Sequence, residues 1–362
     1  MKVALIRRCF RPDGGGEQAF KNFVDAYIQL GHSVTILCEE WDDPDLAADK
    51  LSISAVSLRG SRSSRQSSFV RTVLEWTRNA EFDFTHSHEF IPGSNILRLG
   101  DGLHSTWLRY LKTKAAWPKR AYYHFDTFHN FKIKMQNEAL QSTELRKVVC
   151  NSRFIRDEVC EYYPRLVDKV ELVYNVVPES FFLECGAKIK LPKQFFSSYR
   201  MVFVGSGWYR KNLVRALEVL KKLGREYSLT VIGRDSNEDF YKKLTQQMGL
   251  SEQVFFAGVI RVSFATLRNF DLLVNLSHYE PFPNAVSESL VCGIPVVSSL
   301  SSGAADFGNG QSVFVSDSSL EIANAIASGA VKAPNQSEVT GYRKIFSNNN
   351  LLKILQEKVI PN

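Results

Sequence analysis

At 362 residues, 44% hydrophobic and with 25 Phe, the chain exceeds one ordinary domain and has material for sizeable cores, which excludes a disordered protein. A net charge of +7 and a pI near 9.0 favour a polyanionic partner: nucleic acid, an anionic membrane surface or a phosphorylated substrate. The apolar runs are strand-length and interrupted, so no segment reads as a transmembrane helix.

Residues 1–8 place a short apolar run between charges, which fits a buried first strand better than a signal peptide. After a glycine-rich turn, Phe20, Phe23, Val24, Tyr27 and Ile28 recur at helical spacing, and Gly31 closes the helix. Strands are predicted at 34–37, 51–58 and 82–86, the polar run 60–68 as a loop, and 70–77 as a helix. Residues 147–150 and 169–174 read as short strands flanking a helix. The periodicity lapses over 178–199, which reads as a linker, and then restarts. A strand at 201–204 runs into Gly205, a helix follows at 212–223, and strands are predicted at 229–232, 254–256, 272–276 and 294–297. Two serial βα ladders imply two doubly wound α/β halves. The expected domains are 1–178 and 179–345, with about 346–362 packing back on the first. Ligands of such sheets bind beyond the carboxyl ends of the strands, at the loops after Arg7, His86, Gly205 and Leu276. The six cysteines (Cys9, Cys38, Cys150, Cys160, Cys185, Cys292) show no C-x-x-C and read as reduced core thiols of a cytoplasmic protein.

Four constellations carry chemistry. Seven residues separate Glu280 from Glu288, running from a strand end into a helix, with Pro283, Asn284 and Ala285 among them. Two acceptors at different depths of one crevice suit the hydroxyls of two linked sugars, and the amides that open the helix suit a diphosphate. The plainer reading is a polar loop and a Glu that complements the helix dipole. Gly205-Ser-Gly-Trp-Tyr-Arg210-Lys211 sets a glycine turn and two cations before a helix, as two phosphates would require; the alternative is a solvated basic helix start. Asp13-Gly14-Gly15-Gly16-Glu17 occupies a phosphate-facing turn but lacks G-x-G-x-x-G, against a dinucleotide oxidoreductase, and Glu17 fits a helix-start charge. His86, His88 and His104 lie near strand ends of the first half. No spaced acidic or Cys partner accompanies His86 and His88, so they read as structural and no metal site is expected. Asp43 and Asp45 fall in an acidic, solvated loop.

The charge excess is local. Between Arg98 and Lys134 eight basic residues face only Asp101 and Asp126, and eight aromatics are interleaved. Asp101, Arg109, Lys112, Lys114, Trp117, Lys119 and Arg120 are the residues expected to face an acceptor or an anionic membrane. An ordinary basic helix over a cleft is the alternative. No nucleic-acid motif accompanies the charge, so nucleic acid is not an expected partner.

Together these features resemble the retaining glycosyltransferases of family 4. Glu280-x7-Glu288 followed by Gly293-Ile294-Pro295-Val296-Val297 resembles that family's E-x7-E signature and its G-x-P-V-V segment. Gly14-Gly15-x-Glu17 is similar to its glycine loop, Gly205 with Arg210-Lys211 to its diphosphate loop, and Asn151-Ser152 and Tyr174-Asn175 to its motifs before the linker. Residues 91–104 further resemble the lipopolysaccharide-core glucosyltransferase branch. The resemblance implies the GT-B fold, two Rossmann-like doubly wound α/β domains facing each other across a cleft, the first binding acceptor and the second the nucleotide-sugar donor. It implies that Glu280 meets the transferred sugar, Glu288 the ribose, and Arg210 and Lys211 the departing diphosphate in place of a metal ion. Gly14 and Gly15 would approach the phosphates, and His104 would hydrogen-bond the sugar near its reacting carbon. No cofactor is implied beyond the co-substrate, a nucleotide sugar with UDP as its expected carrier. The implied reaction moves a hexose or N-acetylhexosamine to a lipopolysaccharide-core or other cell-envelope glycolipid or saccharide, at the inner face of the cytoplasmic membrane. Val176, Pro178, Asp306, Pro283 and Asn284 depart from the family pattern, the last two in the sugar-facing loop. The competing readings are a nucleotide-sugar epimerase, a phosphorylase or other GT-B enzyme, and a non-catalytic polyanion-binding protein.

Overall fold

The computed structural model describes residues 1–10, 15–42, 50–183 and 199–361, the side chain of Lys119 excepted. Two compact units emerge: Met1–Tyr174 with Asn348–Asn362, and Asn175–Ser347.

Among the described residues the first unit holds a sheet of seven parallel strands: β1 (Lys2–Ile6), β2 (Ser33–Cys38), β3 (Leu51–Ala55), β4 (Phe84–Ser87), β5 (Ile96–Leu99), β6 (Lys147–Cys150) and β7 (Val170–Leu172). Their order is β3-β2-β1-β4-β5-β6-β7, which reverses direction at β1 and opens a crevice past the ends of β1 and β4. Val3, Ala4, Leu5 and Ile6 are all fully buried, because helices cover both faces of the sheet. α1 (Gly15–Gln29) lays Phe20, Phe23, Val24 and Tyr27 on the sheet, and Gly31 ends the helical segment at φ +85°.

One expectation for this unit fails. The predicted loop 60–68 is mostly helix: α2 spans Arg62–Asn79, with the Ser61 hydroxyl accepting the Ser64 N–H. Its first turns look like a loop because Ser and Arg fill the solvent face while Gln66 and Phe69 turn inward. Arg98, the first cation of the basic stretch, is part of β5 and only 2% exposed. Its guanidinium lies 4.6 Å from the Phe23 ring centroid, and burial lowers its pKa to about 10. Four further helices complete the first ladder: α3 (His104–Lys114), α4 (Trp117–Phe125), α5 (Thr127–Leu140) and α6 (Arg153–Tyr162).

The second unit repeats the plan. β8 (Tyr199–Val204), β9 (Tyr227–Ile232), β10 (Val254–Gly258), β11 (Leu272–Asn275), β12 (Val296–Ser298) and β13 (Val313–Val315) run parallel in the order β10-β9-β8-β11-β12-β13. The reversal now falls at β8, so the crevice opens past β8 and β11. Its helices are α7 (Ser180–Leu183), α8 (Trp208–Lys211), α9 (Leu213–Lys222), α10 (Glu238–Gln247), α11 (Phe264–Leu267), α12 (Asn284–Val291), α13 (Ser319–Ala327) and α14 (Gln336–Ile345). The expected linker opens on α7, and its residues 184–198 lie outside the described residues. Phe203, Trp208, Leu217, Leu229, Val231 and Val274 meet in one core that fixes the strand ends. α15 (Asn348–Ile354) returns to the first unit, where Asn348 Nδ2 donates to Gln29 Oε1 (2.9 Å).

Candidate functional site

In the second unit β8 runs into Gly205 at φ +131°, a conformation that favours glycine. A Cβ there would overlap Cε of Lys211, so the missing side chain is what lets the lysine pass. Trp208 pins the turn. Its indole Nε1 donates to Gly205 O (3.0 Å), and its backbone N–H donates to Asp235 Oδ2 (2.6 Å). Asn212, left-handed at φ +58°, separates α8 from α9 and caps α9 by accepting the Arg215 N–H (3.4 Å). Arg210 and Lys211 thereby close the single turn of α8.

β11 ends at Asn275, and Glu280 stands in the loop that follows. The Glu280 N–H donates to Ser301 O (3.0 Å), and the Gly303 N–H donates to Glu280 O (2.9 Å). Small polar residues fill the space behind this bridge. Asn275 Nδ2 donates to Ser298 Oγ (3.2 Å) and Ser302 Oγ (3.0 Å), and Ser299 Oγ donates to Ser277 O (2.6 Å). All are buried, and their mutual bonding makes that burial tolerable.

Three donors converge on Oε2 of Glu280: Arg210 Nη1 at 2.7 Å, Lys211 Nζ at 2.9 Å and Ser277 Oγ at 3.3 Å. Ser277 Oγ is also 3.4 Å from Asn275 Oδ1, so its one proton serves either acceptor. Burial by itself would raise the Glu280 pKa, but Lys211 and then Arg210 outweigh it and hold it at about 2. The Lys211 ammonium is lowered by its own burial, with Glu280 opposing. Glu288 stands in the second turn of α12. Burial pushes its carboxyl up to about 7, against a pull from Lys211, and no hydrogen-bond or ion-pair partner holds it among the described residues. At the start of α12, Asn284 Oδ1 accepts from Asn175 Nδ2 (2.6 Å), after a buried Pro283. Two cations, an ionised carboxylate, a carboxyl that titrates near neutrality and the positive end of a helix dipole thus gather at one crevice. Such a site can neutralise a diphosphate and accept hydrogen bonds from hydroxyls.

In the first unit His104 opens α3, with its Nε2 2.9 Å from Nδ1 of His129. Burial lowers its pKa to about 3, so the ring is neutral at physiological pH.

Two family models match the chain. One described as Glycosyltransferase Family 4 matches residues 13–181, and one described as Glycosyl transferases group 1 matches residues 192–337. The chain is a family-4 glycosyltransferase. An uncharacterized glycosyltransferase of Methanocaldococcus jannaschii is 22% identical over 324 residues, 82% of this chain and 80% of its own length. The crystal structure of WaaG, a glycosyltransferase involved in lipopolysaccharide biosynthesis, superposes with a TM-score of 0.76 at 15% identity, covering 98% of this chain and 100% of WaaG. Anabaena HepE in complex with UDP and glucose gives 0.70 at 17%, covering 99% and 98%. At these identities the likeness to solved structures is one of fold, and the fold is GT-B.

The glycosyltransferase brings Gly205, Arg210, Lys211, Glu280, Pro283, Asn284, Ala285 and Glu288 onto two neighbouring loops and one helix start of its second unit. Gly15 begins α1, whereas Gly14 lies outside the described residues, as do Asp13, Asp43, Asp45 and Cys185. Glu17 pairs with Arg7 (3.0 Å) in the first turn of α1, the structural role anticipated for it. His86 is buried and bonded to the Tyr27 hydroxyl through Nδ1 (2.9 Å), and burial keeps His88 neutral as well. Asp101, Arg109, Lys114, Trp117 and Arg120 are exposed and Lys112 is half-buried; the side chain of Lys119 is outside the described residues. No described helix is long and apolar enough to cross a membrane.

Sequence reasoning passed over Ser277, the serines behind Glu280, Asn275 and His129. A serine-rich run from the end of β12, Ser298-Ser299-Leu300-Ser301-Ser302-Gly303, was the available signal for the serines behind Glu280. Nothing local marks His129.

Proposed function

We propose that this glycosyltransferase takes a hexose or N-acetylhexosamine from a UDP-sugar and places it on a lipopolysaccharide-core or other cell-envelope glycolipid or saccharide, with retention at the anomeric carbon. The observation that carries the donor half is the convergence of Arg210 and Lys211 on one oxygen of Glu280. A diphosphate entering the crevice competes for those cations, and the other oxygen of Glu280 is left to accept sugar hydroxyls. Glu288, deeper in α12, accepts the ribose hydroxyls, and the α12 start faces the phosphates. His104 of the first unit supplies a neutral ring to the sugar. HepE, solved with UDP and glucose, supports uridine as the nucleoside of the donor.

In the proposed step the acceptor oxygen bonds to the anomeric carbon while the bond from that carbon to the β-phosphate oxygen breaks. The electron pair leaves with UDP, and the acceptor's proton passes to the departing phosphate on the same face. Arg210 and Lys211 stabilise the charge that develops on the phosphate, the part a divalent cation plays in other enzymes. A rate insensitive to chelator is therefore expected.

The acceptor half rests on α3 and α4. Trp117, Tyr122 and Phe125 are 81%, 60% and 82% exposed beside Lys114 and Arg120, a surface suited to an anionic leaflet and its lipid-linked acceptor. A panel of nucleotide sugars read by thermal shift tests the donor. A UDP-sugar should raise the melting temperature in the wild type and fail to do so in Lys211→Ala, and equal shifts in both would refute this donor site. Sedimentation with phosphatidylglycerol vesicles tests the surface, with binding that weakens as salt rises expected and salt-insensitive or absent binding counting against it.

A further inference from the structure

α3 begins without a capping side chain of its own, because Leu103 occupies its N-cap. The cap comes from α5. The Ser105 N–H donates to Gln136 Oε1 (3.1 Å), and Gln136 Nε2 donates to Ser105 Oγ and to the Tyr163 hydroxyl, both at 2.9 Å. Tyr163 passes its own proton to Asn137 Oδ1 (2.7 Å), and Gln136 is fully buried. Two turns earlier on the same face of α5 stands His129, with its Nδ1 against His104 Nε2. One helix face thus grips the start of α3 at both of its first residues.

His129 is itself held. Its backbone N–H donates to the N-cap carboxylate of Asp126 (2.9 Å), and its ring meets Tyr123 at 5.7 Å and Phe128 at 5.6 Å between centroids. The charged groups facing the pair are Arg62 of α2, Lys112 of α3, Lys132 of α5 and Asp126. Burial is the largest influence and lowers both imidazoles, so each ring is neutral at physiological pH. Two neutral imidazoles share one proton in such a contact. The tautomer of His129 therefore dictates which nitrogen of His104 carries hydrogen.

We propose that His129 is a positioning residue for sugar transfer: it fixes the tautomer and ring plane of His104, leaving Nδ1 of His104 as the one ring nitrogen that can meet a sugar hydroxyl. The proposal rests on the reading of His104 given above. It accounts for a polar contact between the rings of two aromatic-lined helices.

The test uses the full chain labelled with nitrogen-15 in its histidine rings, with the His104 signals assigned by their loss in His104→Phe. The wild type should show a single tautomer for His104. His129→Phe, which keeps the ring packing, should show both tautomers, and kcat for UDP release from the UDP-sugar that gives the largest thermal shift should fall about 10- to 100-fold, with donor KM within about twofold. His129→Asn, whose amide can stand where Nδ1 stood, should recover part of that loss and keeps the test alive if the Phe variant does not fold. An unchanged His104 tautomer in His129→Phe, or an unchanged kcat, overturns the inference. A wild-type rate in His104→Phe instead sinks the assignment of His104 to the sugar, and the imidazole spectra of His129→Phe still decide whether His129 sets the tautomer.

Discussion

The chain uses its cations in two opposite ways. Arg210 and Lys211 converge on a single buried carboxylate oxygen, whereas Arg109, Lys112, Lys114 and Arg120 stand along α3 and α4 beside three large aromatics open to solvent. Among the described residues no ion pair ties those four to an acid; Arg109 instead meets the ring and hydroxyl of Tyr162, and Lys112 approaches His124 at 3.4 Å. The net charge of the protein reports the second group. The proposed chemistry belongs to the first, whose two positive charges are partly offset by the one carboxylate of Glu280 until a phosphate arrives. Excess charge therefore marks where a partner is attracted, and compensated charge marks where a reaction is prepared.

Removing a cation from the compensated cluster should have the largest effect. Lys211→Ala is expected to lower kcat about 10²- to 10³-fold in a UDP-release assay, because a preorganised charge at the leaving group is lost. A loss below about fivefold would move the chemistry elsewhere. Gly205→Ala comes next: it forces a Cβ against Lys211 at φ +131° and should cost about 1–3 kcal/mol in denaturant unfolding, with donor affinity falling alongside. Full stability in that variant would mean that the turn relaxes.

Acid–base behaviour supplies a third and smaller effect. The Glu288 pKa of about 7 lies above its ordinary value of 4.5, so the folded state holds that proton more tightly. Its contribution to stability is present below pH 4.5 and is lost as pH rises through about 7. Glu280 has the opposite sign: its contribution is present above pH 4.5 and is lost as pH falls through about 2. A ribose that binds the ionised form of Glu288 should therefore bind more tightly as pH rises through 7, by up to about tenfold per unit on the acid side. Isothermal titration across pH 5.5–8.5 should show that slope in the wild type and a flat profile in Glu288→Gln. The smallest effect is expected on the exposed side of the comparison. Trp117→Ser should shift unfolding free energy by no more than about 0.5 kcal/mol while reducing vesicle binding, and a larger loss of stability would make that helix part of the core.

What could be read in advance follows the same division between local and distant. Both βα ladders were legible because strands buried on two faces are continuous apolar runs, as at residues 3–6 and 201–204. Glu280 and Glu288 were legible because both lie on one short stretch of chain. The first turns of α2 were not, since Ser and Arg are as common in loops as on a helix's solvent face, and only the capping bond from Ser61 separates the two. β5 was hidden by Arg98, whose place inside a strand depends on a ring from α1. The contacts of His129 and of Asn275 with Ser302 join residues more than twenty positions apart, and no spacing rule encodes them.

The return of α15 to the first unit has a consequence for synthesis. Residues 175–347 form a continuous unit that can close as soon as they are made, whereas the unit begun first lacks Leu351, Leu355 and Val359, all buried, until the last of them emerges. The domain that is started first is thus completed last. While the ribosome works on the second unit, the surface of α1 that takes Asn348 stands uncovered, an interval in which a chaperone or a misplaced apolar segment has its opportunity.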